Sequence, residues 1–257
     1  MLNGLDLFSG IGGITYALGD WVRPVAYCEI DEYARGVLLS RMSEGLLPIA
    51  PIWDDVQTLY GRMLPHIDII YGGFPCQDVS LAGLRTGVEG KRTGLFREAI
   101  RLVRECRPQF VFLENVPGIR KYVPSVRFEL EALGYDCRDG FLSAAEVGAP
   151  QIGNRWWLLA KASGKPGSFG VFDRDGQESQ DGSKNQEVRS DDRIESEMGS
   201  QTNTGVRGNE EWLPEPQISR MVNGIPENVD AVKSLGNAVV PKQAREAFKI
   251  LMGLDGA

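Results

Sequence analysis

The run Asn3–Asp20, "NGLDLFSGIGGITYALGD", decides how the rest of the chain is read. "NGLDLF" suits a strand, "SGIGG" a tight turn and "ITYALGD" a short helix. A strand that passes through glycines straight into a helix opens an α/β unit. Small residues there let a ligand approach the backbone, and the helix N-terminus favours an anionic group. Alone, a Gly-rich turn is ordinary loop chemistry, and this one differs from the GxGxxG of dinucleotide binders. It gains weight from "PVAYCEI" (Pro24–Ile30), which reads as a second strand ending at Glu29. An acidic residue about 20 positions beyond a glycine turn is placed to hydrogen-bond a ribose hydroxyl pair. Together the two stretches point to a nucleoside-bearing cofactor. Asp55, in "WDDV" near the end of a third strand, either reaches the adenine or is a surface carboxylate.

The alternation continues outward. Residues 31–45, "DEYARGVLLSRMSEG", place Ala34, Val37, Leu38 and Met42 on one helical face, with Asp31 as N-cap. Short strands follow at "PIAPIW" and "IDIIYGG". "TGLFREAIRLVRECRP" is helical, with Leu95, Ala99, Leu102, Val103 and Cys106 on its inner stripe and Pro108 as its stop. "QFVFLE" is a continuous apolar strand, as expected in a parallel sheet buried on both faces. A helix "VPSVRFELEALG", strands "YDCRDGFLSA" and "RWWLLAK", and a closing helix "KQAREAFKILMG" complete the series. The expected fold is α/β, a doubly wound, mostly parallel sheet.

Composition bounds the function. At 42% hydrophobic over 257 residues the chain can bury a large core. No apolar stretch reaches the roughly 18 residues of a membrane span, and the N-terminus lacks the pattern of a signal peptide. Cys28, Cys76, Cys106 and Cys137 are widely spaced, which argues against a zinc site or a disulfide framework and fits a reducing compartment. The single histidine, His66, reads as a turn residue before a strand. A net charge of −7 looks wrong for a nucleic-acid binder, but its distribution matters. Residues 161–211 hold 11 acidic and 7 basic side chains and only 8 apolar ones, so this stretch cannot build a core. Residues 78–107 hold 7 basic and 4 acidic side chains, a locally basic face beside Cys76.

Two strand ends carry candidate chemistry. In "GGFPCQDVS", Pro75 and Gln77 flank Cys76 with no aliphatic neighbour, which suits a shaped, partly exposed thiol; the alternative is a small core hydrophobe. In "FLENVPG", the strand delivers Glu114 to the same edge of the sheet, where an unpaired carboxylate is costly unless used. The other reading is a solvated loop glutamate.

In their order, "LDLFSGIGG", "FPCQDVS", "ENVPG" and "LGNAVVP" resemble the DNA (cytosine-5)-methyltransferase family, over roughly residues 3–160 and 212–252. The resemblance implies S-adenosylmethionine as cofactor, held by Phe8, Gly10, Ile11, Gly12, Glu29, Ile30, Asp55, Val56, Pro75, Asn237 and Ala238. It implies Cys76 as the nucleophile, with Gln77 beside it, Glu114 as the carboxyl that engages the base, and Arg155 of "QIGNR" as a further catalytic residue. The family's Gln-x-Arg-x-Arg block has its first arginine where this chain has Gly153. No metal is implied. The implied organisation is a catalytic and cofactor-binding domain at 1–160, a small polar target-recognition region at 161–234, and a C-terminal helix at 235–257 returning to the first. The implied partner is double-stranded DNA, with room for a cognate restriction endonuclease; no membrane partner, a monomeric chain and a cytoplasmic, prokaryotic or phage setting go with it. An RNA cytosine-5 methyltransferase and a catalytically impaired binding homologue are the competing readings.

Overall fold

The computed structural model describes residues 1–75, 94–150, 153–163 and 238–254. The opening strand β1 (Leu2–Leu7) runs through the glycine turn into α1 (Gly13–Ala17), and β2 (Val22–Cys28) leads to α2 (Glu32–Ser43). Asp31 caps α2 as expected, its side chain accepting from the Ala34 amide at 3.0 Å. Strand β3 is only Ile52–Trp53, shorter than the expected "PIAPIW". Pro48 and Pro51 have no N–H to give a ladder. Their carbonyls are used instead, accepting from the Tyr27 hydroxyl (3.0 Å) and the Tyr27 amide (2.9 Å).

Beyond β4 (Ile69–Gly73) come α3 (Leu95–Cys106), β5 (Phe110–Asn115), α4 (Val123–Ala132), β6 (Tyr135–Ser143), β7 (Asn154–Ala162) and α5 (Pro241–Met252). Pro108 does follow the end of α3, but the chain leaves the helix at Arg107, which takes a left-handed conformation (φ 49°). Phe96 and Ile100 join the buried side of α3 and widen the stripe read from the sequence.

The seven strands form one sheet in the order β3-β2-β1-β4-β5-β7-β6, parallel except for β7, which is antiparallel to both neighbours. Helices cover both faces, which is why β5 is buried at all six positions. Leu5, Leu7, Ile70, Val111, Leu113, Trp156 and Leu158 pack against α3 and α4 on one face. Tyr71, Phe112, Trp157 and Leu159 meet α1 and α5 on the other, where Phe248 lies edge-on to Phe112. From α5 the buried Gln243 donates to the carbonyls of Leu142 (2.7 Å) and Gly153 (2.8 Å), tying the helix to β6 and to the start of β7. The chain crosses from one side of β1 to the other between β3 and β4. The crevice at such a reversal, outside the carboxyl ends of the strands, is where open α/β sheets take ligands.

The expected recognition region at 161–234 lies outside the described residues except for 161–163. No helix among the described residues is long and apolar enough to cross a membrane.

Candidate functional site

A cleft of about 810 Å³ opens at that crevice. Its β1–β2 wall is built from the glycine turn. Phe8 takes a left-handed φ of 54°, a conformation that costs energy for a bulky residue and marks a constrained site. Glu29, just past β2, accepts the Gly10 amide on one carboxylate oxygen (2.7 Å) and the Asp31 amide on the other (2.8 Å). Glu29 therefore closes the turn as well as facing the cleft, and each oxygen keeps lone pairs for a hydroxyl. The buried Arg41 of α2 holds the same turn by donating to the Ile11 carbonyl at 2.5 Å.

Among the residues expected at a cofactor, Phe8, Gly10, Ile11, Glu29, Ile30, Asp55, Val56, Pro75 and Ala238 line this cleft. Gly12 does not. A Cβ at Gly10 would have nothing within 4 Å among the described residues, whereas one at Gly12 would strike Leu47 at 2.5 Å. Gly12 lets the turn pack on α2, and Gly10 leaves the floor open.

These residues fit S-adenosylmethionine. Glu29, Asp31, Asp54 and Asp55 give the wall a negative field suited to a sulfonium and an ammonium. The side chain of Ile30, 69% exposed, and that of Val56 offer apolar surface to a base. The volume lies in the range of small-molecule sites, about 300–1,000 Å³.

The opposite wall is different. Gly73, at the end of β4, pairs in register with Glu114 near the end of β5. A Cβ at Gly73 would sit 2.5 Å from Glu114 Oε2, so only glycine lets that carboxyl occupy its place. The Glu114 side chain lies within β5 and is 9% exposed, which removes the reading of a solvated loop glutamate, and Arg155 Nε on β7 lies 3.0 Å from Oε1. Among the described residues Oε1 nonetheless accepts no hydrogen bond. Burial pushes the Glu114 carboxyl up to about 7, with the Arg155 charge pulling it back down. A carboxyl poised near neutrality at the mouth of a cleft can hold or give a proton.

Cys76, Gln77 and Asn237 lie outside the described residues. So do Gln151 and Ile152 of "QIGNR" and the basic stretch after Cys76 as far as residue 93. The chain is described up to Pro75, two residues after Gly73; Phe74 is held there because Asn115 Nδ2 donates to its carbonyl at 2.7 Å. Asn115 Oδ1 accepts the Val116 amide at 2.9 Å, which fixes the amide's orientation. The sequence reading gave Asn115 no role, though its place beside Glu114 in "FLENVPG" was a signal.

Two further residues were missed. Arg101 of α3 donates to the carbonyls of Val56 (2.9 Å) and Leu59 (2.8 Å) and pairs with Glu98 (2.6 Å) and Glu105 (2.8 Å). It sets the turn that carries Asp55 into the cleft, and nothing in its helical spacing distinguishes it from a surface arginine. Asp6, buried beneath the glycine turn, accepts the Thr15 hydroxyl at 2.6 Å. Burial lifts its carboxyl to about 8, the Thr15 bond opposes this, and the Glu29 charge adds to it. His66 stands in the turn before β4 and pairs with Asp68 at 3.1 Å, away from the cleft.

The chain belongs to the C-5 cytosine-specific DNA methylase family, whose model matches residues 2–223. It is 36% identical over 159 residues to the type II methyltransferase M.CviJI of Paramecium bursaria Chlorella virus IL3A, covering 61% of this chain and 42% of that protein. It is 32% identical over 161 residues to the type II methyltransferase M.HhaI of Haemophilus parahaemolyticus, covering 60% and 47%. The matched region thus spans less than half the length of these two relatives. The fold is shared with a crystal structure of S. pombe Dnmt2 methyltransferase (TM-score 0.53, 24% identity, 65% of this chain and 53% of that one). Family and fold together imply the use of S-adenosylmethionine.

Proposed function

We propose that the protein transfers a methyl group from S-adenosylmethionine to C5 of a cytosine flipped out of duplex DNA, through a covalent bond between Cys76 and C6. The observation that carries this reading is Glu114, a buried carboxyl raised towards neutrality, with one oxygen unbonded among the described residues, facing the strand end that leads into Pro75 and Cys76.

Cytosine C5 is too poor a nucleophile to be methylated unaided. Addition of the Cys76 thiolate to C6 forms the S–C6 bond and moves electron density to C5. Glu114, protonated, donates to N3 and draws charge from the ring as C6 is attacked. Arg155 holds the Glu114 side chain and limits how far its carboxyl can rise. The bound cofactor supplies an electrophilic methyl group. Loss of the C5 proton then restores the C5–C6 double bond as the S–C6 bond breaks, and Cys76 leaves as thiolate. A stacked base cannot reach such a cleft, so the nucleotide leaves the helix first. Glu29 and Asp55 bind the cofactor on the far wall, with Glu29 accepting from its ribose hydroxyls.

A duplex carrying 5-fluorocytosine at the target tests the mechanism, because fluorine cannot leave C5 as a proton does. A stable adduct mapped to Cys76 by mass spectrometry supports it. An adduct on Cys28, Cys106 or Cys137, or methylation that survives in Cys76→Ala, overturns it. DNA and tRNA methylated side by side decide the substrate class.

A further inference from the structure

We propose that Arg120 and Lys121 form a phosphate clamp for the DNA strand that presents its base to Glu114; this rests on the function proposed above. Both lie in the tight turn Pro117–Tyr122 that follows β5, only a few residues beyond Glu114. The turn is rigidly seated: Pro117 fixes its start, and Ile119 is fully buried, its amide donating to the Val116 carbonyl at 3.0 Å. Both cations are exposed, and neither is paired with a carboxylate among the described residues.

Each cation is instead laid on an aromatic ring. Arg120 Cζ lies 4.3 Å from the Phe141 ring centre, and Lys121 Nζ lies 4.7 Å from that of Tyr122. A ring face holds a cation in place without neutralising it, so its charge remains free for an anion. Phe141 pairs with Trp156, which pairs with Asn115. Phe141 shares with Trp156 the face packed on α3 and α4, so Arg120 stands at the level of Asn115, the residue after Glu114, two strand spacings or about 10 Å to one side and across the end of the sheet from the Glu114 carboxyl. A strand that delivers a base to Glu114 over the end of the sheet passes this same edge with its flanking phosphates. In a chain of net charge −7, two unneutralised cations fixed at this edge oppose the general trend.

The measurement is the salt dependence of binding to a labelled DNA duplex, with cofactor affinity measured by calorimetry on the same preparations. Arg120→Gln and Lys121→Gln should each lower the slope of log affinity against log salt by about 0.9, one phosphate each. In the double variant, the affinity lost between about 50 and 200 mM salt should shrink roughly tenfold relative to the parent. Arg120→Lys should keep the parent slope, and cofactor affinity should stay at the parent value in all variants. A parent that binds DNA with a slope unchanged in the double variant overturns the clamp and leaves the proposed function standing. Loss of cofactor affinity together with DNA affinity also overturns it, since the residues would then be supporting the fold. A parent that binds no DNA overturns the proposed function, and the clamp with it.

Discussion

On the β1–β2 side of the cleft the polar groups are already satisfied before any ligand arrives. Glu29 takes two backbone amides and Arg41 holds the Ile11 carbonyl. On the β4–β5–β7 side, Glu114 is buried, lifted to about 7 and left with an oxygen that accepts no hydrogen bond among the described residues, although Arg155 stands 3.0 Å away. A wall that is satisfied beforehand binds with little reorganisation, as suits a cofactor that comes and goes. A wall that keeps a carboxyl desolvated and undercommitted holds energy that a reacting base can draw upon. The two sides should therefore respond differently to substitution.

The largest effect should come from the unsatisfied wall. Glu114→Gln should slow single-turnover methyl transfer by about 10²-fold or more, the range for loss of a positioned acid, with cofactor affinity unchanged in calorimetry. Equal loss of cofactor binding would erase the distinction between the walls. Next, Glu29→Ala should weaken cofactor binding by about 1–3 kcal/mol, because it removes a charged acceptor and leaves two amides without theirs. Its rate at saturating cofactor should stay near that of the parent.

Acidity sharpens the same contrast. Glu114 stands at about 7 against an ordinary 4.5, and Asp6 at about 8 against 3.8. Between these values the folded protein keeps protons that the unfolded chain has released, so stability falls as pH rises and levels off above the folded values. Melting temperatures followed across this range should show the decline, and in Glu114→Gln it should be shallower between 4.5 and about 7, where only the Asp6 share remains. Single-turnover rates should fall as pH rises through about 7, where the donor form of Glu114 is lost.

Smaller effects belong to the supports. Arg101→Ala should cost about 1 kcal/mol in chemical denaturation, since its ion pairs are partly exposed, and should weaken cofactor binding several-fold by freeing the turn that carries Asp55. Gly153→Ala should change stability by no more than about 0.5 kcal/mol. Among the described residues an added Cβ there would meet only Ala144 at 3.7 Å, which leaves room at the place of the family's first arginine.

The satisfied wall was the more legible one. The glycine turn, Glu29 and the Asp31 cap lie within residues 6–34, where short-range patterns carry the geometry, and the family resemblance supplied the other residues that line the cleft. Gly12 is the exception, because its contact with Leu47 is made across α2 and no local pattern marks it. Asn115 and Arg101 escaped notice for the same reason: their partners, Phe74 and Val56, are 41 and 45 residues away.

By itself the sequence determined the alternation of strands and helices, the glycine turn and the order of motifs that mark the family, because these are properties of neighbouring residues. Tertiary structure alone decided the strand order with β7 reversed, which sets Arg155 beside Glu114 across 41 residues of chain. It also decided that Glu114 loses most of its contact with water and rises to about 7, and that the Gly73 backbone makes room for it. Desolvation and charge pairing depend on which distant segments come to surround a group, and that is fixed only when the sheet is assembled.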